Sequence, residues 1–155
     1  MTAVLFVCLG NICRSPAAEE ILRQFVKAKG CENQIHIESC GIGAWHIGLL
    51  PNSRMRTAAQ ARGFILTSRA QLFQQAFLDT FDYILAADGE VMEYLHQQAV
   101  TTDQKAKIHL ITEFSDTYKN RDVPDPYYKG NGAFEEVLDI LEDSCQGLLK
   151  KICKP

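Results

Sequence analysis

The sequence predicts an α/β protein: a single-domain, open, parallel four-stranded sheet with helices on both faces. Three observations carry this. Four short, apolar, partly β-branched stretches punctuate the 155 residues, the pattern of strands buried on both faces. Segments with helical apolar spacing lie between them, and strand alternating with helix implies right-handed crossovers. The chain is also long enough to bury one core without metal or disulfide staples.

The elements follow in order. Ala3–Cys8 forms the first strand. Ala18, Ile21, Leu22, Phe25 and Ala28 then recur at helical spacing, with Ser15 as N-cap, Pro16 at the first helical position and Gly30 as stop. Ile35–Cys40 forms the second strand. Asn52 or Ser53 opens a second helix running to Arg62 and ending at Gly63. Tyr83–Ala87 is the third strand, a third helix follows Asp88, and Lys107–Ile111 is the fourth strand. Phe134, Val137, Leu138, Leu141, Cys145, Leu148 and Ile152 form one stripe of a last helix. No repeat, low-complexity tract or linker interrupts this order, so residues 1–155 read as one domain. In open parallel sheets ligands bind beyond the carboxyl ends of the strands, and Cys8 sits at such an end.

Composition narrows the function. A net charge of -3 without Lys/Arg clusters gives no nucleic-acid footprint. The N-terminal apolar run is too short for a signal peptide or a membrane span, so a cytoplasmic protein without membrane insertion is expected, and a monomer. The six cysteines are Cys8, Cys13, Cys31, Cys40, Cys145 and Cys153. Disulfide frameworks belong to short secreted chains, so most of these thiols are expected free and reduced. No CxxC pair exists and no histidine stands at ligand spacing, so neither zinc nor any other cofactor is expected.

The loop Cys8-Leu9-Gly10-Asn11-Ile12-Cys13-Arg14-Ser15 carries the chemistry. A loop entering a helix N-terminus points several backbone N–H groups at one spot, and the helix dipole adds positive potential. Gly10 and Asn11 tolerate positive φ and let the loop wrap into an anion-binding nest. Arg14 offers a planar fork for two phosphate oxygens. Such a concavity binds a tetrahedral dianion and favours the thiolate of a cysteine at its centre, to which Ser15 can donate its hydroxyl. This is an activated nucleophile facing a phosphoryl group. A buried cysteine ending a strand is the simpler reading of Cys8 alone, but it leaves Gly10, Asn11, Arg14 and Ser15 unexplained.

Expelling an alkoxide or phenolate needs a proton donor. Among 19 acidic residues, Asp125 stands out because Pro124 and Pro126 stiffen its loop; a plain surface turn is the alternative. Tyr127, Tyr128 and Trp45 are candidates for aromatic walls around a phenyl ring, or for ordinary packing. Asp88 either caps a helix or belongs to the site.

VCLGNICRSP resembles the active-site loop of the low-molecular-weight protein tyrosine phosphatases. The resemblance extends through "ESCGIGAWHIG", "PNSRMRTAAQARG", "FDYILAAD" and "VPDPYY", so it spans nearly the whole sequence. It implies the flavodoxin- or Rossmann-like version of the sheet predicted above. It implies a cofactor-free enzyme acting on phosphotyrosine-containing proteins. By this resemblance Cys8 is the nucleophile that becomes phosphocysteine, Arg14 grips the equatorial oxygens, and the loop from Leu9 through Gly10, Asn11, Ile12 and Cys13 binds phosphate. Asn11 and Ser39 hold the loop's shape, Ser15 tunes the thiolate and assists breakdown of the intermediate, and Asp125 acts as acid and then as base. Asp88 matches an aspartate near the site, and Cys13 matches a second cysteine able to capture an oxidised Cys8 as a disulfide.

One departure stands out. Many members carry a histidine ahead of the third strand, where this protein reads Thr67-Ser68-Arg69-Ala70, so support for the loop must come from elsewhere. Thiol-dependent arsenate reductases need further cysteines, which are missing here between Cys40 and Cys145. A protein-arginine phosphatase is a nearer alternative, against which Ile12 speaks. An idle phosphate-binding or redox-sensing module built on Cys8 and Cys13 is the alternative from outside enzymology.

Overall fold

The computed structural model describes residues 1–154. β1 (Thr2–Cys8), β2 (Ile35–Gly41), β3 (Tyr83–Ala86) and β4 (Ile108–Leu110) form one parallel sheet in the order β2-β1-β3-β4. β1 is central and apolar on both faces. Val4, Phe6 and Cys8 point to the layer holding α1 (Arg14–Ala28), α2 (Ser53–Gln60) and α6 (Asn131–Ile152). Leu5 and Val7 point to the other, with α3 (Phe77–Thr80) and α4 (Gly89–Gln98). All seven residues of the stripe predicted for the last helix are buried on α6.

Two helix boundaries differ from the sequence reading. Ser15 is not an N-cap: α1 begins at Arg14, preceded by Cys13, whose thiol makes no capping bond. The Ser15 hydroxyl is instead turned onto the Cys8 sulfur. α2 stops at Gln60 rather than Arg62, and the backbone turns through Gly63 at φ 91°. Its start matches, with Asn52 Oδ1 accepting from the Arg54 and Met55 amides. α3, α5 (Thr102–Ala106) and the 3-10 turn Ile111–Phe114 are too short to show periodicity in sequence.

Four cysteines are free, Cys8, Cys13, Cys40 and Cys145, as expected for most of them. Cys31 and Cys153, with Cα atoms 6.0 Å apart, form a disulfide that the sequence reading did not anticipate. It ties the turn after α1 to the end of α6, far in sequence but adjacent because the two helices pack together.

Candidate active site

β1 delivers Cys8 to the carboxyl edge of the sheet, beside Gly41 of β2. The following loop is pinned by its own backbone: Ile42 N–H donates to Cys8 O at 3.1 Å, Gly43 N–H to Leu9 O at 2.9 Å, and Asn52 N–H to Ile12 O at 2.8 Å. Gly41 is required by this close approach, since a Cβ there would lie 2.9 Å from Asn11 N and Gly10 C. Of the two residues expected to take positive φ, only Asn11 does so, at 57°. Gly10 serves by its size: a Cβ on it would meet the His46 imidazole at 3.0 Å.

The Cys8 sulfur, 2% exposed as a residue, accepts from Asn11 N–H at 3.3 Å and lies 2.9 Å from Ser15 Oγ. Asn11 Nδ2 donates to Ser15 Oγ at 2.7 Å and to Ser39 Oγ at 3.0 Å. The Ser15 hydroxyl has two acceptors within reach, the Cys8 sulfur at 2.9 Å and Cys40 O at 3.4 Å. Ser39 donates onward to Glu19, which pairs with Arg23.

Gln71 extends this network. The Gln71 N–H donates to Asn11 Oδ1 at 3.0 Å, and its carboxamide donates to Ser39 O at 2.9 Å and to Glu38 at 3.0 Å. Gln71 and Glu19 escaped the sequence reading. Gln71 holds Asn11 through a backbone amide, which no motif records; Glu19 sits on the buried face of α1, where a charged residue was a usable signal.

Arg14 is 2% exposed. Its Nη1 donates to Asp88 Oδ2 at 2.7 Å and to Val123 O at 2.9 Å, leaving Nε and Nη2 for a bidentate grip. Burial opposes its charge, but the neighbouring Cys8 and Asp88 outweigh burial and raise its pKa. Asp88 performs both roles considered for it, since its Oδ1 also accepts from Val91 N at 2.9 Å and caps α4. Asp125 lies across the loop, Oδ2 3.7 Å from Arg14 Nη2, with Oδ1 accepting from Tyr127 N at 3.1 Å. Cys13 is different. Burial, then the charges of Cys8 and Asp125, push its thiol up to about 12, so it stays protonated at neutral pH.

Cys8, Cys13, Arg14 and Asp125 line a cleft of about 350 Å³, whereas Asn11, Ser15 and Asp88 are not part of its lining. Leu9, Gly10, Ile12 and Cys13 contribute to its floor, and Trp45, Tyr127 and Tyr128 to its walls. Trp45 is 68% exposed, so it is not half-buried core; Tyr128 is 94% exposed and packs only on its loop neighbour Tyr127. Tyr127 is half-buried, edge-on to Tyr128 at 4.7 Å and tilted against His46 at 6.2 Å. His46 is a wall residue the sequence reading missed. Ser39 lies outside the cleft, behind Asn11. Among the described residues no three His, Cys, Asp or Glu side groups are placed to hold a metal.

Comparison with known proteins places the same cleft in context. A family model described as low molecular weight phosphotyrosine protein phosphatase matches residues 3–155. The low molecular weight protein-tyrosine-phosphatase YfkJ of Bacillus subtilis is 41% identical over 155 residues, 99% of this protein and 97% of its own length. A protein tyrosine phosphatase from Entamoeba histolytica, solved with Hepes in its active site, superposes with a TM-score of 0.93 at 37% identity, covering 97% of this protein and 96% of its own length. The Drosophila arginine phosphatase superposes with a TM-score of 0.90 at 29% identity, covering 99% of each.

Proposed function

Because this protein belongs to the low-molecular-weight phosphotyrosine protein phosphatase family, we propose that it hydrolyses phosphotyrosine in proteins through a phosphocysteine on Cys8, with residues 1–155 as one phosphatase domain. The observation that carries this is the Cys8 sulfur, held by Asn11 N–H and the Ser15 hydroxyl at the base of a cleft that also contains Arg14 and Asp125. The Entamoeba relative holds Hepes, a sulfonate, in its active site; a tetrahedral anionic group suits the same loop geometry here.

In the first step the phosphoryl oxygens take the loop amides of Leu9 to Cys13 and the Nε/Nη2 edge of Arg14. Asp88 and Val123 O hold the other edge of that guanidinium, so its orientation costs little at the moment of reaction. The thiolate attacks phosphorus, the P–O bond to tyrosine breaks, and protonated Asp125 gives its proton to the departing phenolic oxygen. In the second step the Asp125 carboxylate takes a proton from water. That water attacks phosphocysteine, the P–S bond breaks, and the Ser15 hydroxyl stabilises the returning thiolate. Inorganic phosphate leaves and the thiolate is regenerated.

Trp45, Tyr127 and Tyr128 give the cleft aromatic sides, which suits a phenyl ring between phosphate and peptide. Four free thiols, one of them the nucleophile, suit a reducing compartment, whereas the Cys31–Cys153 disulfide suits an oxidising one; on the weight of the free nucleophilic thiol we place the protein in the cytoplasm, as a monomer. No helix among the described residues is long and apolar enough to cross a membrane. The test compares matched phosphotyrosine, phosphoserine and phosphoarginine peptides. Turnover confined to phosphotyrosine and lost in Cys8→Ser is the expected result; preference for phosphoarginine overturns the substrate assignment.

A further inference from the structure

We infer that Arg54 is a positioning residue for the proton-donating loop, linking it to the phosphate-binding loop through the start of α2. The inference rests on the reading of Asp125 as general acid.

The linkage is continuous. Asn52 N–H donates to Ile12 O at 2.8 Å, which seats the start of α2 on the phosphate loop. Asn52 Oδ1 in turn accepts from the Arg54 amide at 2.9 Å and fixes where that residue leaves the helix. The Arg54 guanidinium then reaches the segment after Asp125: Nη2 donates to Lys129 O at 2.5 Å and to Asn131 Oδ1 at 3.2 Å. Its carbon sits 4.5 Å from the Phe134 ring centroid, stacked on the face of the first turn of α6. A planar fork that is stacked and bonded at once is held in one orientation.

The segment from Val123 to Gly130 belongs to no helix or strand. At its start Val123 is tied by Arg14 to its carbonyl and by Ala87 O to its N–H. At its end the tie is Arg54. Asp125 is therefore suspended between two arginines, one in the phosphate loop's own helix and one on α2. Arg54 does not line the cleft; its charge reaches Cys13 in the phosphate loop, and its hydrogen bonds act on where Asp125 sits. Lysine in its place keeps one donor for Lys129 O but loses the fork and the stacked plane.

The experiment measures kcat/KM on phenyl phosphate and on 2,4-dinitrophenyl phosphate, with inhibition by inorganic phosphate and melting temperature recorded for each variant. Arg54→Ala is expected to lose roughly tenfold or more on phenyl phosphate, a part of the roughly 10²–10⁴ a general acid supplies. It should change little on the dinitrophenyl ester, whose leaving group needs no proton, and phosphate inhibition should hold. Arg54→Lys should recover part of the loss. Should Arg54→Ala fail to fold, Asn131→Ala removes one partner only and should show the same selectivity, weaker. Equal losses on both esters, or a loss of phosphate inhibition that marks a purely electrostatic role, overturn the inference. Asp125→Ala, run in parallel, separates the two levels: if its own loss does not depend on the leaving group, the assignment of the acid fails; if it does while that of Arg54→Ala does not, only the role of Arg54 fails.

Discussion

Ser15 Oγ lies 2.9 Å from Cys8 Sγ even though Ser15 sits inside the first turn of α1. The capping position belongs to Cys13; the Ser15 hydroxyl lies beside the sulfur and accepts from Asn11 Nδ2. A hydrogen bond to a charged group contributes about 1.5–3 kcal/mol. Ser15→Ala should therefore slow Cys8 alkylation by iodoacetate at neutral pH and cut turnover roughly 10- to 100-fold, at about 1.4 kcal/mol per factor of ten. Unchanged alkylation would remove Ser15 from the account of thiolate stability.

Asp125→Ala should reduce turnover of aryl phosphates with poor leaving groups by roughly 100- to 10,000-fold. The 3.7 Å approach of its Oδ2 to Arg14 Nη2 places it at the mouth of the phosphate grip. A Brønsted plot of kcat/KM against leaving-group pKa checks this: the slope should steepen in the variant, and an unchanged slope would make the residue structural.

Cys13 stands at about 12, chiefly through burial and then through the charge of Cys8. Its reactive thiolate is scarce at neutral pH and grows about tenfold per pH unit until that value is approached. Iodoacetate at neutral pH should accordingly label Cys8 and spare Cys13, with phosphate protecting Cys8. After peroxide converts Cys8 to the sulfenic acid, capture by Cys13 with release of water should speed up as pH rises, and thiol reductant should restore activity. Cys13→Ser should recover little; recovery equal to wild type would leave Cys13 as packing under the loop.

The loop could be read from sequence because its parts are contiguous. Cys8, Asn11, Arg14 and Ser15 lie in one short stretch, and a strand before and helix after fix their mutual placement. Asp125 needed the resemblance, since proline-framed aspartates also make plain turns. What escaped was carried by backbone groups or by tertiary pairing. Gln71 and Val123 hold Asn11 and Arg14 through a backbone amide and a backbone carbonyl, which leave no mark in residue type. Ser15 is not the cap because α1 starts one residue before it, at Arg14. The Cys31–Cys153 pair, 122 residues apart, becomes visible only when α1 and α6 pack.

That pair makes a prediction of its own. A cross-link closing so long a loop stabilises mainly by restricting the unfolded state, typically by about 2–5 kcal/mol. Reduction, or Cys31→Ser, should lower the melting temperature by roughly 4–20 °C, at about 2–4 °C per kcal/mol for a protein of this size. Activity at room temperature should not change, because neither cysteine lines the cleft. A free-thiol titration that finds every cysteine reactive without reductant would contradict the cross-link.

The central claim is a phosphoryl group carried on the Cys8 sulfur, and it is tested most directly by catching it. Wild-type protein mixed with excess phosphotyrosine peptide and acid-quenched within the first turnovers should yield the Cys8 peptide bearing one phosphoryl group by mass spectrometry. Cys8→Ser should neither turn over nor carry phosphate there. Full turnover by Cys8→Ser, or phosphate trapped on a different residue, would contradict the account.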